Sequence, residues 1–299
     1  LNGKDRDKNK FDFEKNFIHH LSSPLPYRRR KNQTIEEFCD EKVKEFEDKI
    51  IEIGPEKIAA YIAEPILASG GCIVPPKGYI KRFWDLCKKY DILYISDEVV
   101  TSFGRLGHFF SSEEVFGIIP DIITTAKGIT SGYMPLGAVL FSDRLMENVK
   151  KESSLFFHGY TYSGHPACCT AALKNIEIIK RDKILEHVRN IAPYFQKKLK
   201  NLINIPIVGD VRGEGMMTGI ECVMNKDSKE ALVLDQAIGN RIDEESLKLG
   251  LIIRPLYHVC VLSPALIITT KQIDDLEERL NQAISNAMKK VEEEGLWSK

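Results

Sequence analysis

The sequence predicts an α/β fold, in which a mostly parallel β-sheet with helices on both faces is followed by a smaller α+β unit. Between residues 58 and 141, short continuous apolar runs alternate with amphipathic stretches, which is typical of parallel strands buried on both faces. After residue 180, glycine-rich strand-like segments are mixed with long charged helices. We therefore place a domain boundary near Lys180, between residues 1–180 and 181–299.

The first half is predicted to contain four strands and the helices that connect them. The strands are the apolar runs at residues 58–66, 92–96, 121–125 and 136–141. Helical spacing of apolar residues predicts helices at residues 34–51 and 79–89. The second of these has an apolar face formed by Ile80, Phe83, Trp84 and Cys87.

The second half is predicted to alternate helices with less regular strands. The helices are expected at residues 166–180, 183–203, 235–249 and 271–294. The strand-like segments are residues 208–221, 251–254 and 259–263. This order of elements favours an α+β unit.

Composition and charge exclude several classes of function. The 299 residues include 42 basic and 43 acidic side chains, so the net charge of −1 provides no general attraction to nucleic acid or to an anionic membrane. No apolar run approaches the roughly 20 residues that cross a bilayer. The seven scattered cysteines lack a CxxC pair and the histidines lack metal-ligand spacing. We therefore expect a cytoplasmic protein with reduced thiols, no metal site, and neither a nucleic-acid nor a membrane partner.

One local exception to this charge balance is the basic run at residues 28–31. Such a run is usually a solvated loop. A contact with a phosphate or with a partner protein is the alternative.

Polar residues fall at the ends of the predicted strands. Glu64, Asp97 and Lys127 each lie at or near the carboxyl end of an apolar run, which is the edge where open α/β sheets bind ligands. A lysine in this position is expected to be partly desolvated, and a neutral amine can form a Schiff base with a carbonyl. Pyridoxal phosphate requires such a lysine and a carboxylate beside its pyridine nitrogen. Asp97 lies 30 residues before Lys127 and is expected at the same edge.

Each of these residues also has a simpler interpretation. Lys127 could be a solvated surface side chain, and Asp97 could cap the following helix. Glu64 precedes Pro65, so it either supports the site or marks the exit from a strand.

The residues around Asp97 and Lys127 resemble the signature of class III aminotransferases. The matching segments are ISDEV at residues 95–99 and TTAKG at residues 124–128. Further matches are AEPI at residues 63–66, VPPKGY at 74–79, FGRLG at 103–107, PLGA at 135–138 and HGYTYSGHP at 158–166. The sequences of these segments are most similar to those of the ω-amino acid and amine:pyruvate transaminases, and the resemblance extends from about Asn2 to at least Thr269.

This resemblance implies a pyridoxal-phosphate-dependent transferase of fold type I. Lys127 would hold the cofactor and move a proton between the substrate Cα and C4′ of the cofactor, with Asp97 paired to the pyridine nitrogen. Val99 would pack on the ring, and Thr161 would bind the cofactor phosphate of the partner subunit in a homodimer. Arg254 would bind a substrate carboxylate. The expected reaction transfers an amino group from an ω-amino acid or amine to a 2-oxo acid such as pyruvate.

The sequence departs from the family pattern in three places. Val100 stands where many members have a glutamine, although the amine-transaminase branch tends to be apolar there. Residues 255–258 follow Arg254 where several relatives have a Gly-Asp pair. As an alternative to binding a substrate carboxylate, Arg254 could form a surface ion pair. The glycine-serine phosphate cradle and the ring-stacking aromatic residue of relatives precede Leu1. We therefore expect an N-terminally truncated chain that is poorly soluble and catalytically silent on its own.

Two other functions remain open on the sequence. The first is a short protein that keeps the fold and acts as a binding module without catalysis. The second keeps the cofactor but changes the reaction, as in aminomutases or racemases of the same fold. Arg254 mildly favours transfer between two substrates that carry carboxylates.

Overall fold

Two four-stranded β-sheets organise the part of the chain that the computed structural model describes, namely residues 12, 14, 16–151, 156–229 and 235–297. The first sheet has the order β1-β2-β3-β4. Its strands are β1 (Ala60–Ala63), β2 (Leu93–Asp97), β3 (Ile122–Thr125) and β4 (Ala138–Phe141). Strands β1, β2 and β3 are parallel, and β4 is antiparallel to β3. The predicted mostly parallel sheet is therefore confirmed, with one antiparallel edge strand.

The predicted strand at residues 58–66 is shorter at both ends than expected. It is hydrogen-bonded as a strand only over Ala60–Ala63, because residues 55–57 form a 3₁₀ turn and Pro65 cannot donate to the ladder.

The second sheet is entirely antiparallel and has the order β5-β6-β8-β7. Its strands are β5 (Val208–Glu214), β6 (Met217–Cys222), β7 (Arg254–Leu256) and β8 (Val259–Leu262). The run at residues 208–221 is thus a hairpin, which turns at Gly215 with a φ of +56°. The strand predicted at residues 251–254 begins only at Arg254, because the N–H of Leu251 closes the preceding helix on the Ser246 carbonyl oxygen at 2.9 Å.

Eight α-helices lie in the described part of the chain. They are α1 (Ile35–Ile53), α2 (Tyr79–Lys89), α3 (Ser111–Glu114), α4 (Asp143–Lys151), α5 (Pro166–Arg181), α6 (Ile184–Lys200), α7 (Asp235–Lys248) and α8 (Thr270–Glu293). Thr34 begins α1 with a reciprocal capping box to Glu37, and Thr269 begins α8 in the same way with Gln272. These caps satisfy backbone N–H groups that the first turn of a helix leaves unpaired.

Two large apolar clusters hold the sheets and helices together. The larger one surrounds the second sheet and includes the fully buried Phe195, Leu199 and Ile220. Beside the first sheet, Phe46 of α1 stacks on Phe83 of α2 with ring centroids 4.7 Å apart. Strand β4, in contrast, leaves apolar side chains exposed at Val139, Leu140 and Phe141.

The cysteines, the helices and the basic run can each be compared with what the composition predicts. All seven cysteines lie in the described residues, and all are free thiols. Among the described helices, none is long and apolar enough to cross a membrane. The basic run at residues 28–31 differs from a simple solvated loop, because the guanidinium of Arg28 pairs with Glu221 and that of Arg29 donates to the Pro26 carbonyl oxygen at 2.9 Å.

Candidate active site

The carboxyl edge of the first sheet brings Asp97 and Lys127 together. Asp97 is the last residue of β2, and its Cα is paired with that of Thr124 in β3. Lys127 follows the end of β3 by two residues. Because neighbouring strands lie about 4.8 Å apart, the carboxylate and the amine emerge from adjacent positions on one edge. This placement is the one that the sequence pattern predicts.

Lys127 lies in a tight turn that opens into a pocket. The residue has a φ of +44° and begins a 3₁₀ turn, Lys127–Ile129. The pocket has a volume of about 380 Å³ and is lined by Lys127, Thr130 and residues 132–136. Lys127 is exposed, so the expected desolvation of its amine is not observed. The reason is geometric, since the turn lifts the side chain out of the buried strand into an open pocket.

Asp97 is half-buried and has one oxygen available to a ligand. Its Oδ1 accepts the backbone N–H of Val99 at 3.1 Å. Its Oδ2 accepts no hydrogen bond from any residue that the structure describes. No helix begins directly after Asp97, because residues 98–109 form turns and α3 starts only at Ser111. The helix-capping alternative is therefore not observed.

The neighbouring Glu98 is fully buried and committed to the fold. Its carboxylate accepts the backbone N–H groups of Ser111 and Ser112 at 2.6 and 2.9 Å, and their hydroxyl groups at 2.8 and 2.5 Å. Thr101 adds a longer hydrogen bond at 3.3 Å. A carboxylate with five donors has little remaining capacity to accept another. Asp97 is therefore the carboxylate of this pair that retains capacity to accept a further hydrogen bond.

Glu64 fits the strand-exit interpretation. Its Oε2 accepts the backbone N–H of Ala68 at 3.0 Å, which closes the turn after β1. Val99 is half-buried beside Asp97. Val100 packs into an apolar cluster with Leu106 and Val259.

Thr161 and Arg254 belong to other elements of the fold than the strands that carry this pair. Thr161 is exposed in a turn that also exposes Tyr160 and Tyr162 by 77% and 79%. Arg254 is the first residue of β7 in the second sheet and is exposed. Its guanidinium forms no ion pair with any described residue, so the surface ion-pair alternative is not observed.

A half-buried arginine that sequence reasoning missed connects the loop after Asp97 to the second sheet. Arg105 donates from Nη1 to the carbonyl oxygens of Pro264 at 2.6 Å and Met216 at 3.1 Å. The N–H of Met216 donates in return to the Arg105 carbonyl oxygen at 2.9 Å. Burial lowers the pKa of Arg105 to about 10. The FGRLG segment at residues 103–107 was visible in the sequence, but its contacts with residues more than a hundred positions away were not.

A second buried charge cluster is centred on Glu221 in β6. Its carboxylate accepts from Arg212 Nη1 at 2.5 Å, from Arg28, and lies 3.5 Å from His258 Nε2. Burial opposes ionisation, but the His258 hydrogen bond and the two arginines outweigh it and lower the pKa of Glu221 to about 2. Arg212 Nε also donates to the Gly71 carbonyl oxygen at 3.0 Å. The cluster therefore joins the second sheet to two segments of the first half.

Comparison with known proteins places this geometry in a family. The sequence model of Aminotransferase class-III matches residues 3–284. The chain is 41% identical over 266 residues to the putrescine–pyruvate aminotransferase of Pseudomonas aeruginosa, covering 89% of this chain and 58% of that protein. It is 38% identical over 288 residues to the probable γ-aminobutyrate transaminase 3, mitochondrial, of Oryza sativa subsp. indica, covering 95% and 56%.

Solved structures agree with this assignment. An (S)-enantioselective omega-transaminase from Thermomicrobium roseum superposes with a TM-score of 0.86 at 40% identity, covering 90% of this chain and 60% of that one. A six-fold mutant of a thermostable omega transaminase from Pseudomonas jessenii gives 0.90 at 33%, covering 95% and 64%. The chain thus spans less than two thirds of the relatives and structures named here. It belongs to the class-III aminotransferase family.

Proposed function

We propose that this chain is part of a transaminase that moves an amino group from an amine or ω-amino acid to a 2-oxo acid such as pyruvate. The observation that carries the proposal is the placement of Asp97 and Lys127 on adjacent strands at one sheet edge. The relatives named for putrescine, γ-aminobutyrate and pyruvate support the choice of donor and acceptor.

The residues at this edge fit the pyridoxal phosphate that class-III aminotransferases use. Lys127 has an exposed amine in an open pocket, and Asp97 has a carboxylate oxygen without a partner among the described residues. Val99 supplies an apolar side chain next to that carboxylate. A primary amine, an anion and an apolar contact match an aldehyde, a protonated pyridine nitrogen and a flat ring. Bound cofactor supplies the electron sink that makes the substrate Cα–H acidic.

The chain's own residues then have distinct tasks. The Lys127 amine would hold the cofactor covalently, and as a free amine it would accept the proton from the substrate Cα. The Asp97 carboxylate holds a proton on the pyridine nitrogen, because an adjacent negative charge raises the pKa of that nitrogen. Glu98 contributes by fixing the turn after Asp97 through Ser111 and Ser112.

The remaining assignments concern substrate and assembly. Arg254 binds the substrate carboxylate as a bidentate pair, for which its exposed guanidinium without an ion-pair partner among the described residues is suited. Thr161 binds the cofactor phosphate of a partner subunit in a homodimer. The exposed aromatic residues beside Thr161 support this interface, since contiguous exposed apolar surface marks contact sites. We also retain the domain boundary near Lys180.

The experiment follows the fate of the amino group. The proposed transaminase, of which this chain is part, is purified and supplied with pyridoxal phosphate, a diamine or γ-aminobutyrate, and isotopically labelled pyruvate, and labelled alanine is measured. We expect alanine formation that requires the amine and disappears in Lys127→Ala. As a control, Glu113→Gln changes a carboxylate on the exposed side of α3 and should retain activity.

Two results would contradict the proposal. An amino group that moves within one substrate, or inversion of a chiral amine without alanine, would indicate an aminomutase or a racemase. No amine-dependent product from any donor, with cofactor bound, would favour a binding module.

A further inference from the structure

The turn that carries Lys127 has an unfavourable backbone. We call residues 126–131 the lysine turn. Both Lys127 and Ser131 have positive φ angles, of 44° and 50°, in a region where a side chain meets its own backbone. A turn with two such residues persists only when its surroundings hold it in place.

Hydrogen bonds inside the lysine turn are long. The N–H of Ile129 donates to the Ala126 carbonyl oxygen at 3.1 Å, and the N–H of Ser131 donates to the Gly128 carbonyl oxygen at 3.2 Å. The N–H of Thr130 reaches the Lys127 carbonyl oxygen at 3.3 Å. These distances are at the long end of the normal range, so the turn needs support from elsewhere in the fold.

Helix α5 supplies that support through Asn175. Its Nδ2 donates to the carbonyl oxygens of Gly128 at 2.9 Å and Ile129 at 3.1 Å. Its Oδ1 accepts the hydroxyl of Ser131 at 2.7 Å. One amide side chain therefore contacts three of the four residues that follow Lys127.

Apolar packing fixes Asn175 in this position. Ala172 and Ile179 of α5 are buried in one cluster with Ile129 and Phe103. These helix residues lie three positions before and four positions after Asn175, so all three share one face. Gly128 permits the close approach on the other side, because a Cβ there would lie 2.8 Å from the Phe103 Cβ.

We propose that Asn175 is a positioning residue for Lys127, acting by locking the lysine turn so that the amine points into its pocket beside Asp97. The effect on the reactivity of the Lys127 amine rests on the proposed function, whereas the contacts between Asn175 and the lysine turn do not. Asn175 itself touches no reacting atom. Without its three hydrogen bonds, Lys127 and Ser131 can relax out of the left-handed region, and the amine leaves its position at the sheet edge.

The test compares Asn175→Ala and Asn175→Asp with wild type. The aspartate keeps the size and the acceptor oxygens but has no donors for the carbonyl oxygens of Gly128 and Ile129. Lys174→Ala is the matched control, because Lys174 is exposed on the same helix and pairs only with the exposed Glu177 among the described residues. Thermal unfolding is recorded first, and all later measurements are made well below the lowest transition.

Two readouts separate a positioning role from a purely structural one. The first is hydrogen exchange of the peptide covering residues 126–133 without added cofactor. The second is the rate at which pyridoxal phosphate becomes fixed to Lys127 by borohydride, measured by mass spectrometry. Both Asn175 variants should exchange this peptide at least about tenfold faster and fix the cofactor about tenfold more slowly, whereas Lys174→Ala should match wild type.

Exchange and labelling rates equal to wild type in both Asn175 variants would overturn the inference. Faster exchange with unchanged labelling would also overturn it, because the turn would then be loosened without consequence for the amine. Wild-type protein that is never labelled at Lys127 would instead refute the proposed function, and the exchange result alone would then decide whether Asn175 locks the turn.

Discussion

Replacing Glu221 by glutamine should destabilise the protein by several kcal/mol. The carboxylate is buried, and its pKa of about 2 compares with an ordinary value near 4.5. Burial opposes this shift, while His258, Arg212 and Arg28 produce it. A difference of roughly 2.5 pKa units at about 1.36 kcal/mol per unit corresponds to about 3 kcal/mol of stability. The substitution also leaves the buried guanidinium of Arg212 with Asp210 as its remaining carboxylate among the described residues.

The pH dependence of this stability has a definite sign. Because the folded pKa lies below the unfolded one, the contribution of Glu221 is fully present above about pH 4.5 and is lost as the pH falls towards about 2. We expect the wild-type free energy of unfolding, measured by urea titration, to fall through this window. Glu221→Gln should be about 3 kcal/mol less stable at pH 7 and should show a flatter pH profile.

The surface pair of Arg181 and Asp182 provides the control. Both side chains are about half exposed, and Arg181 Nε lies 2.7 Å from Asp182 Oδ1. Exposed ion pairs are screened by solvent and contribute little to stability, so Asp182→Asn should change the free energy of unfolding little. A Glu221→Gln loss no larger than that of Asp182→Asn, or an unchanged pH profile, would refute the reasoning.

Three further predictions concern the site. Asp97→Asn should reduce kcat by roughly a thousandfold, which corresponds to about 4 kcal/mol, while Glu98→Gln should mainly lower the free energy of unfolding, by about 1–3 kcal/mol. Steady-state kinetics and urea titration on both variants separate the two roles. A large loss of kcat in Glu98→Gln with a loss of stability in Asp97→Asn would show that the two roles are assigned to the wrong residues. Arg254→Lys should raise KM for the 2-oxo acid by about 10–100-fold, since a charged hydrogen bond contributes about 1.5–3 kcal/mol. KM for a diamine, which has no carboxylate, should be unchanged. Equal effects on both KM values would show that Arg254 does not bind the substrate carboxylate. Arg105→Lys should lower the free energy of unfolding by about 1.5–3 kcal/mol, because the lysine side chain is one bond shorter and does not place its nitrogen where Arg105 Nη1 donates to both carbonyl oxygens. A change below about 0.5 kcal/mol in urea titration would show that these bonds contribute little.

The placement of Asp97 and Lys127 was predictable because it depends on local patterns. Continuous apolar runs report strands buried on both faces, and parallel strands end at a common edge. The register of β2 and β3 then puts Asp97 next to Thr124. Family motifs around both residues strengthened the same conclusion.

Other features depend on contacts that a linear pattern does not contain. The exposure of Lys127 follows from a left-handed turn, and nothing in the residues themselves indicates that turn. The late start of β7 at Arg254 reflects the closing of α7 by Leu251. Asn175 lies in a helix more than forty residues after Lys127, and only the packing of α5 on Ile129 reveals its contact with the lysine turn.

Identifying the residue that holds the cofactor is a direct test of the role proposed for Lys127. The purified transaminase, of which this chain is proposed to be part, is incubated with pyridoxal phosphate, reduced with borohydride, digested and analysed by mass spectrometry. We expect one modified site at Lys127, which disappears in Lys127→Ala while the exposed Lys174 remains unmodified in both proteins. Labelling spread over many surface lysines, or retained in Lys127→Ala at another single residue, would contradict it.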